Sequence, residues 1–431
     1  MSDGWGQCID GVEVELWGEC YNIQQTTYIN LYGEGLTGSI PSEIGNLTNL
    51  IDLILSNNQL SGEIPIEISY LNNLIYLDLY NNNLTGGIPS EIGNLSNLSY
   101  LYLSDNDLIG SIPSEIGNLT YLVNMVLWGN SLSGEIPSEI GNLTNLEVLS
   151  LSHNDLIGYI PSEIGNLINL RELFLHSNNL YGSIPSEIGN LVNLQYLECH
   201  ENLLSGIIPS GIGNLVSLRI LGLSYNSFTG NIPSEISSLN NLTNLWIGSN
   251  SFSGEILSNL IDLTNLEEIS IWGNNFTGEI PIEISNLVNL NGFWLDGNYF
   301  SGQIPDSMGD LPNINSINMS YNLFSGEIPE SICNLGLDWG QWDNGIWNGI
   351  SNNNLCPPYP ECIGEGNIGY QDTSECVDCP DSIEGDTNYD GYVNILDIIT
   401  VVNCILSNDC NECFDINYDS SVDILDIISM I

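Results

Sequence analysis

The sequence predicts an α/β solenoid: a superhelix with a parallel sheet on its concave side and a 3-10 or extended convex side, followed by a small helical module. Three observations predict it. A phrase of 24 residues repeats without insertion or deletion across thirteen rungs, its Ile-Pro step starting at Ile40, Ile64, Ile88, Ile112, Ile136, Ile160 and so on to Ile328, with Leu257 in place of the proline once. The glycine two residues before each of those isoleucines, from Gly38 to Gly326, is never replaced. After residue 384 the phrase is gone and a second motif, itself duplicated, takes over. A fixed period of this size means stacked units that bury one continuous core only by covering each other.

At 431 residues the chain has the length of two or three globular domains, but a solenoid grows rung by rung along a single core. The charge balance is lopsided: 54 Asp and Glu stand against Arg171 and Arg219, with no lysine, for a net charge of −52. Charged residues are 13% of the chain, where about 25% is usual, so the missing part is the basic half. Such a charge argues against nucleic acid and anionic membrane surfaces as partners. It favours a salty or calcium-containing medium, where screening and cation binding relieve self-repulsion. No run of 18 apolar residues exists, so no transmembrane helix and no membrane insertion are expected. The opening MSDGWGQCID is polar and holds no secretory leader; a secreted or cell-surface protein whose leader has been removed is expected.

From the N-terminus, residues 1–24 hold Trp5, Cys8, Trp17 and Cys20 ahead of the first full rung. They are expected to form a cap over the open end of the core, closed by a Cys8–Cys20 bridge. Residues 25–332 are the solenoid, 333–362 a C-terminal cap, 363–384 a linker rich in Gly, Asp, Glu and Ser, and 385–431 the tail module. Of eleven cysteines, Cys199 falls in an apolar column and reads as a small buried hydrophobe. The other ten cluster at the two ends, the pattern of disulfide staples in an oxidising compartment.

Each rung has three parts. A strand such as Leu101-Tyr102-Leu103 alternates inward Leu with outward variable residues. A turn then ends in an asparagine, unsubstituted in twelve rungs from Asn58 to Asn322. An inward amide satisfies buried backbone groups that water does not reach, here expected to be those of the turns above and below. The return reads Gly-x-Ile-Pro-Ser-Glu-Ile-Gly-Asn-Leu: glycine for the bend, proline for an extended or 3-10 start. Identical strands stacked in register pair in parallel. The pattern LxxLxxLxLxxNxLxGxIPxxIGNLxx resembles the plant-type leucine-rich repeat, shared by plant receptor ectodomains and some bacterial secreted proteins. That resemblance implies a curved, twisted solenoid with a concave parallel sheet.

The tail places oxygen-bearing residues at calcium-loop spacing: Asp386, Asn388, Asp390, Asn394 and Asp397 at positions 1, 3, 5, 9 and 12, Gly391 at position 6, and Tyr392 to give its carbonyl at position 7. An apolar helix, 398–406, follows. The motif recurs as Asp415, Asn417, Asp419, Ser421, Asp423 and Asp426, with Ser420 where the first loop has glycine. Two such loops, each leading straight into a helix and each closing on Asp, resemble a bacterial dockerin module. The resemblance implies two Ca2+ ions and calcium-dependent attachment to a cohesin-like partner. Ile395/Leu396 and Ile424/Leu425 stand where type I dockerins often carry Ser or Thr, and the second helix is short.

The outward strand positions are what a partner meets. They collect Tyr76, Tyr80, Tyr100, Tyr102, Trp128, Phe174, Tyr196, Trp246, Trp272 and Trp294, with Tyr28 and Tyr32 nearer the N-terminus and Tyr225 and Tyr321 at strand ends. Aromatic strips on a rigid face are typical of recognition surfaces; packing between rungs is the alternative. All three histidines, His153, His176 and His200, lie on this face on consecutive rungs, with Glu172, Glu198 and Glu201 nearby. His176 and His200 share a column, so their Cβ atoms are expected about 5 Å apart. Such a cluster suits a transition metal, a pH-sensitive contact, or simply a polar part of a binding surface. Glu147 and Arg171 share a column and are expected to pair. On the convex side Glu43, Glu67, Glu91, Glu115, Glu139, Glu163 and Glu187 form a column of like charge on seven consecutive rungs, continued at Glu235 and Glu283.

No serine sits in a nucleophile setting and no carboxylate pair is singled out, so a non-enzymatic protein is expected. The reading is an extracellular binding protein whose concave face takes a protein or glycan and whose tail attaches it to a polysaccharide-handling assembly. An inhibitor or accessory of polysaccharide-degrading enzymes is the alternative. An ice-binding solenoid is a third, disfavoured because the column of Thr48, Ser96, Thr120 and Thr144 is interrupted by Asn72, Ile168, Val192 and Val216.

Overall fold

The structure is a computed structural model. It describes residues 8–340, 342–343, 346–364, 366–374, 376 and 395–407, and the single residues 422, 424 and 427. The expected calcium ligands of both loops lie outside the described residues, apart from the backbone of Asp397, which falls in a helix, Ile395–Ser407. That helix contains the expected 398–406 segment and starts three residues earlier.

Among the described residues, thirteen short strands from Tyr28–Asn30 to Ser316–Asn318 form one parallel sheet in strict chain order. Its partners lie one period apart, as Tyr100 with Asn124 and Asn124 with Val148. The inward residue of each strand is Leu, Ile, Phe or Met, fully or almost fully buried, as are Leu101, Met125 and Leu149. Each return opens with a 3-10 turn such as Ser138–Asn142, started by Pro137 in extended backbone. The parallel concave sheet and 3-10 convex side are thus as expected.

The structure adds a second sheet on the flank. Strands such as Ser131–Glu135 and Asp155–Gly158 pair in parallel through eleven members, from Ile109–Gly110 to Asn354–Cys356. Up to Leu323–Glu327 their partners lie 22 residues apart, not 24, as with Ser133 and Asp155, and the last pairing, Ser325 with Asn354, spans the insertion at 29. Each flank strand is therefore slipped by two residues against its neighbour, while the concave strands stay in register.

The invariant glycine is the last or second-last residue of every strand of this sheet except Asn354–Cys356. All thirteen, Gly38 to Gly326, have φ between +73° and +95°, backbone that a side chain makes costly. The second recurrent glycine answers a different need. A Cβ on Gly141 would stand 2.6 Å from Glu163 Cβ and 2.7 Å from its carbonyl oxygen, so its absence lets adjacent 3-10 turns touch.

The asparagine ladder corrects one detail of the sequence reading. Asn154 donates Nδ2 to the carbonyls of Leu151 and Ser152 in its own turn and of Leu127 in the preceding rung, at 3.1–3.2 Å. Its Oδ1 accepts from the Leu132 amide, again of the preceding rung, at 3.0 Å. The side chain stitches each turn to the rung before it, and not to the rung after. The core also changes along its length: Phe228, Phe252, Phe276, Phe300 and Phe324 replace leucine at one position and stack with centroids 5.8–6.4 Å apart.

Both ends of the solenoid are covered. A hairpin of Glu13–Leu16 and Glu19–Asn22 buries Val14 and Leu16 on the first rung, and Cys8 is bonded to Cys20. At the other end Cys333 pairs with Cys362 and Cys356 with Cys376. The expected linker from 363 is corrected here: Ile363 and Ile368 are buried in the same core and Gln371 bonds back to Ile350. The cap therefore runs on to Cys376. Cys199 is buried and unbonded to another cysteine, as expected.

Candidate functional site

The concave sheet presents its outward residues in columns, one residue per rung. Of the named aromatics there, Tyr28, Tyr32, Tyr225 and Tyr321 are exposed, as is His153, and the others, from Tyr76 to Trp294, are half-buried. They form groups rather than one continuous strip. Tyr76 lies 5.5 Å from Tyr100 and 5.4 Å from Tyr102 between ring centroids, and Tyr80 reaches Trp128 at 6.2 Å. Phe174 meets Tyr196 at 6.3 Å. Further along, Trp272 is edge-on to Tyr225 at 5.3 Å.

Polar side chains hold several of these rings. Trp246 Nε1 donates to Glu268 Oε2 at 2.8 Å, and the Asn244 amide donates to the same oxygen at 3.1 Å. Trp294 Nε1 donates to Ser316 Oγ at 3.0 Å, and Asn124 Nδ2 to the Tyr102 hydroxyl at 3.2 Å. Glu268, Ser316, Asn124 and Asn244 were not singled out by the sequence. Each sits on the strand carrying an aromatic or on the next one, two positions away in column, and that proximity was the available signal.

Burial shapes the acidity of this face. Burial, then Asp78 and the neighbouring tyrosines, pushes Tyr76 up to about 12, so its hydroxyl remains a donor. Burial raises Asp78 above the usual carboxylate range, against the pull of Ser56 Oγ, which donates to it at 2.6 Å. Glu172 and Glu198 are raised by burial as well. Asp296 is pushed up to about 6 by burial.

The histidines come together as the columns predict. His176 and His200 stack with centroids 4.3 Å apart and planes 7° from parallel, and His153 stands edge-on to His176 at 4.9 Å. Burial, then His200 and His153, pushes His176 down to about 4, and burial lowers His200. Both rings are neutral at neutral pH, so the 3.7 Å approach of His200 Nδ1 to Glu198 Oε2 is not an ion pair there. His153 occupies a turn position whose φ is positive in every rung from Gly33 to Tyr321, 51° at His153 itself. Arg171 Nε lies 3.5 Å from Glu147 Oε2, the pairing expected from the period.

A groove of about 910 Å³ lies elsewhere, along the stacked 3-10 turns, lined by Gly117, Asn118, Thr120, Gly141, Asn142 and Thr144 among others, none of them titratable. It offers no acid, base or nucleophile. Among the described residues no helix is long and apolar enough to cross a membrane.

The repeat matches the family model described as "Leucine-rich repeat region" over residues 76–182 and 151–336, and "Leucine Rich Repeat" over 49–71. The chain belongs to the leucine-rich repeat proteins. Its tail matches "Dockerin type I domain" over residues 384–431. A leucine-rich repeat protein of Leptospira interrogans is similar in structure, with 33% identity, TM-score 0.61, and coverage of 81% of this chain and 84% of that one. The structure of a TDR receptor matches at 31% identity and TM-score 0.67, over 78% of this chain and 66% of that one. The HAESA ectodomain of Arabidopsis, solved with an IDA peptide hormone, matches at 29% identity and TM-score 0.58, over 81% and 66%. The chain thus spans just under two thirds of those two receptor structures. Among curated proteins none matches.

This leucine-rich repeat protein therefore combines a rigid array with a dockerin type I module, a family that binds calcium. The donor set of its two loops, carboxylate and amide oxygens, suits that hard cation.

Proposed function

We propose that the protein is an extracellular, non-enzymatic binding protein. Its concave face takes an extended polypeptide or glycan across the groups of aromatics between Tyr76 and Trp294. Its tail, with Ca2+ held by Asp386, Asn388, Asp390, Tyr392, Asn394 and Asp397 and by Asp415, Asn417, Asp419, Ser421, Asp423 and Asp426, attaches it to a cohesin-like partner. One observation carries the first part: Trp246 and Trp294 are half-buried and donate their indole N–H groups to Glu268 and Ser316, so they are held in place before any ligand arrives. Preorganised rings lose little entropy on binding. The HAESA structure was solved with a peptide ligand, which favours a polypeptide.

Ile395 and Ile399 support the second part. They lie one turn apart on the tail helix, 71% and 48% exposed, while Val401 and Cys404 are buried. Two exposed isoleucines on one face suit a partner surface. The disulfides fit an oxidising exterior.

The test has two arms. The whole chain is passed over immobilised cohesin modules with calcium and then with a chelator, and is screened against peptide and glycan arrays. Calcium-dependent capture supports the tail reading, and its absence on every cohesin type overturns it. Array binding that falls on Trp246→Ala and Trp272→Ala supports the face reading, and binding unaffected by both overturns it.

A further inference from the structure

The chain contains three histidines, and all of them meet at one spot on the concave face. With no lysine and two arginines in 431 residues, this is where the chain gathers its imidazole donors. Among the described residues His176, Glu198 and His200 form the group whose ligand atoms, one per residue, all lie within 4.8 Å of one another. We infer that these three residues form a site for a borderline divalent transition cation, with Zn(II) as the type.

The donor chemistry fits. Two imidazole nitrogens and a carboxylate oxygen are a set zinc takes at about 2.0–2.2 Å, which in tetrahedral geometry places donors about 3.4 Å apart. The donors stand within 4.8 Å of one another, and the two rings, now stacked 7° from parallel, have to turn for their in-plane lone pairs to converge on one ion. His176 and His200 come from the same column of adjacent rungs, each two residues past the end of a paired strand, Glu172–Phe174 and Tyr196–Glu198, and Glu198 is the last residue of the second. Backbone bonds from the Leu175 N–H to the Glu198 carbonyl and from the Ser177 N–H to the His200 carbonyl tie the two rungs together at this point. A calcium site is disfavoured, because that cation takes oxygens.

A second layer supports the set. Ser177 Oγ donates to Glu201 Oε2 at 2.9 Å and lies 3.4 Å from His176 Nδ1. With its proton committed to Glu201, that hydroxyl accepts from Nδ1–H and leaves Nε2 with its lone pair. A partner on the far nitrogen is the usual way a metal-binding imidazole is oriented. Both side chains of the His200–Glu198 pair are partly shielded, with 26% and 16% of their surface exposed. Three protein donors leave positions open, as in zinc sites that take an exogenous ligand. The open side faces the concave surface, where water or a donor from a bound partner would complete the shell. The net charge of −52 draws cations to the protein.

This inference does not rest on what the face binds. The full chain is stripped with a chelator, returned to saturating calcium so that the tail loops are filled, and titrated with zinc chloride by calorimetry. His200→Gln, His176→Gln and Glu198→Gln are run alongside, with Glu139→Gln on the convex side as a control. Expected is one zinc site in the unaltered chain, weakened at least about tenfold in each of the three variants and unchanged in the control. Co(II) should give strong visible bands of a four- or five-coordinate ion that vanish in both histidine variants. The variants change outward side chains, and circular dichroism checks each fold. An isotherm unchanged in both histidine variants, or only the weak Co(II) spectrum of an octahedral aquo-carboxylate complex, overturns the site and leaves nonspecific binding to surface carboxylates.

Discussion

Trp246 donates its indole N–H to the Glu268 carboxylate of the next rung at 2.8 Å. That carboxylate also takes the Asn244 amide, so one oxygen fixes two neighbouring side chains on the concave face. Glu268→Ala is expected to free the indole at a cost to stability of about 1 kcal/mol, the value of a partly exposed hydrogen bond. The clearer readout is mobility. Acrylamide quenching should rise in Glu268→Ala, and the rise should be absent when Trp246→Phe is combined with it. Equal quenching in Glu268→Ala and the unaltered protein would mean that the contact does not hold the ring.

The asparagine ladder should be among the least tolerant features. Asn154 is almost fully buried, and its amide serves three carbonyls and one N–H. Asn154→Ala leaves those groups unpaired where water does not reach, a loss of about 3 kcal/mol or more. Asn154→Asp should be at least as harmful, because a carboxylate donates nothing to three carbonyls. Urea unfolding followed by circular dichroism gives the measurement. A midpoint within error of the unaltered chain for both variants would contradict the assignment.

These two features differ in how far they could be read ahead of the structure. The ladder was legible because the same buried amide recurs at one period, and repetition turns a local rule into a global one. The concave sheet, the 3-10 returns and the histidine column followed from the same period; the end caps were read from the cysteines and tryptophans that lie outside it. The flank sheet did not, since its residues, such as Ser131-Leu132-Ser133-Gly134-Glu135, show little alternation and its two-residue slip has no signature within one rung. Residues 363–376 read as a linker by composition, yet Ile363 and Ile368 find the core. The Trp246–Glu268 bond depends on side-chain rotamers across a rung boundary, which the period alone does not specify.

The phenylalanine stack yields a graded test. Phe276 is fully buried between Phe252 and Phe300, at the position where earlier rungs carry leucine. Phe276→Leu is expected to cost under about 1.5 kcal/mol, whereas Phe276→Ala opens a cavity and should cost about 3–5 kcal/mol. Thermal melts of both variants check the order. Similar losses in the two would show that aromatic stacking itself, and not filled volume, holds this column.

Asp296 makes stability depend on pH in a stated direction. Burial raises its carboxyl from 3.8 to about 6, so the folded chain prefers the protonated form. Below about pH 4 both states are protonated and folding bears no penalty. As pH rises from 4 through 6 the unfolded state ionises first, and stability falls until both are charged. Asp296→Asn mimics the neutral form. It should therefore raise the melting temperature at pH 7.5, by an effect of the order of 1–2 kcal/mol after allowing for partial exposure, and should match the unaltered chain near pH 4. A variant that gains nothing at pH 7.5, or gains equally at both values, would contradict this account.

The convex glutamates set the response to salt. Glu115, Glu139, Glu163 and Glu187 are exposed on successive 3-10 turns, and each accepts a hydrogen bond from the serine before it at 3.0–3.3 Å. Those serines are the side-chain partners seen there; the one arginine–carboxylate pair among the described residues is Arg171 with Glu147, on the concave side. Adjacent rungs of a parallel sheet are about 4.8 Å apart, well inside the Debye length of about 10 Å at 0.1 M salt, so neighbouring charges repel at low ionic strength and are screened as salt rises. The melting temperature should climb steadily from 10 mM to 0.5 M sodium chloride. Glu139→Gln and Glu163→Gln together should flatten that climb by removing two adjacent charges from the column. The same double change at Glu255 and Glu279, outside the column, serves as the comparison. If both doubles respond to salt alike, net charge, and not the column, governs the effect.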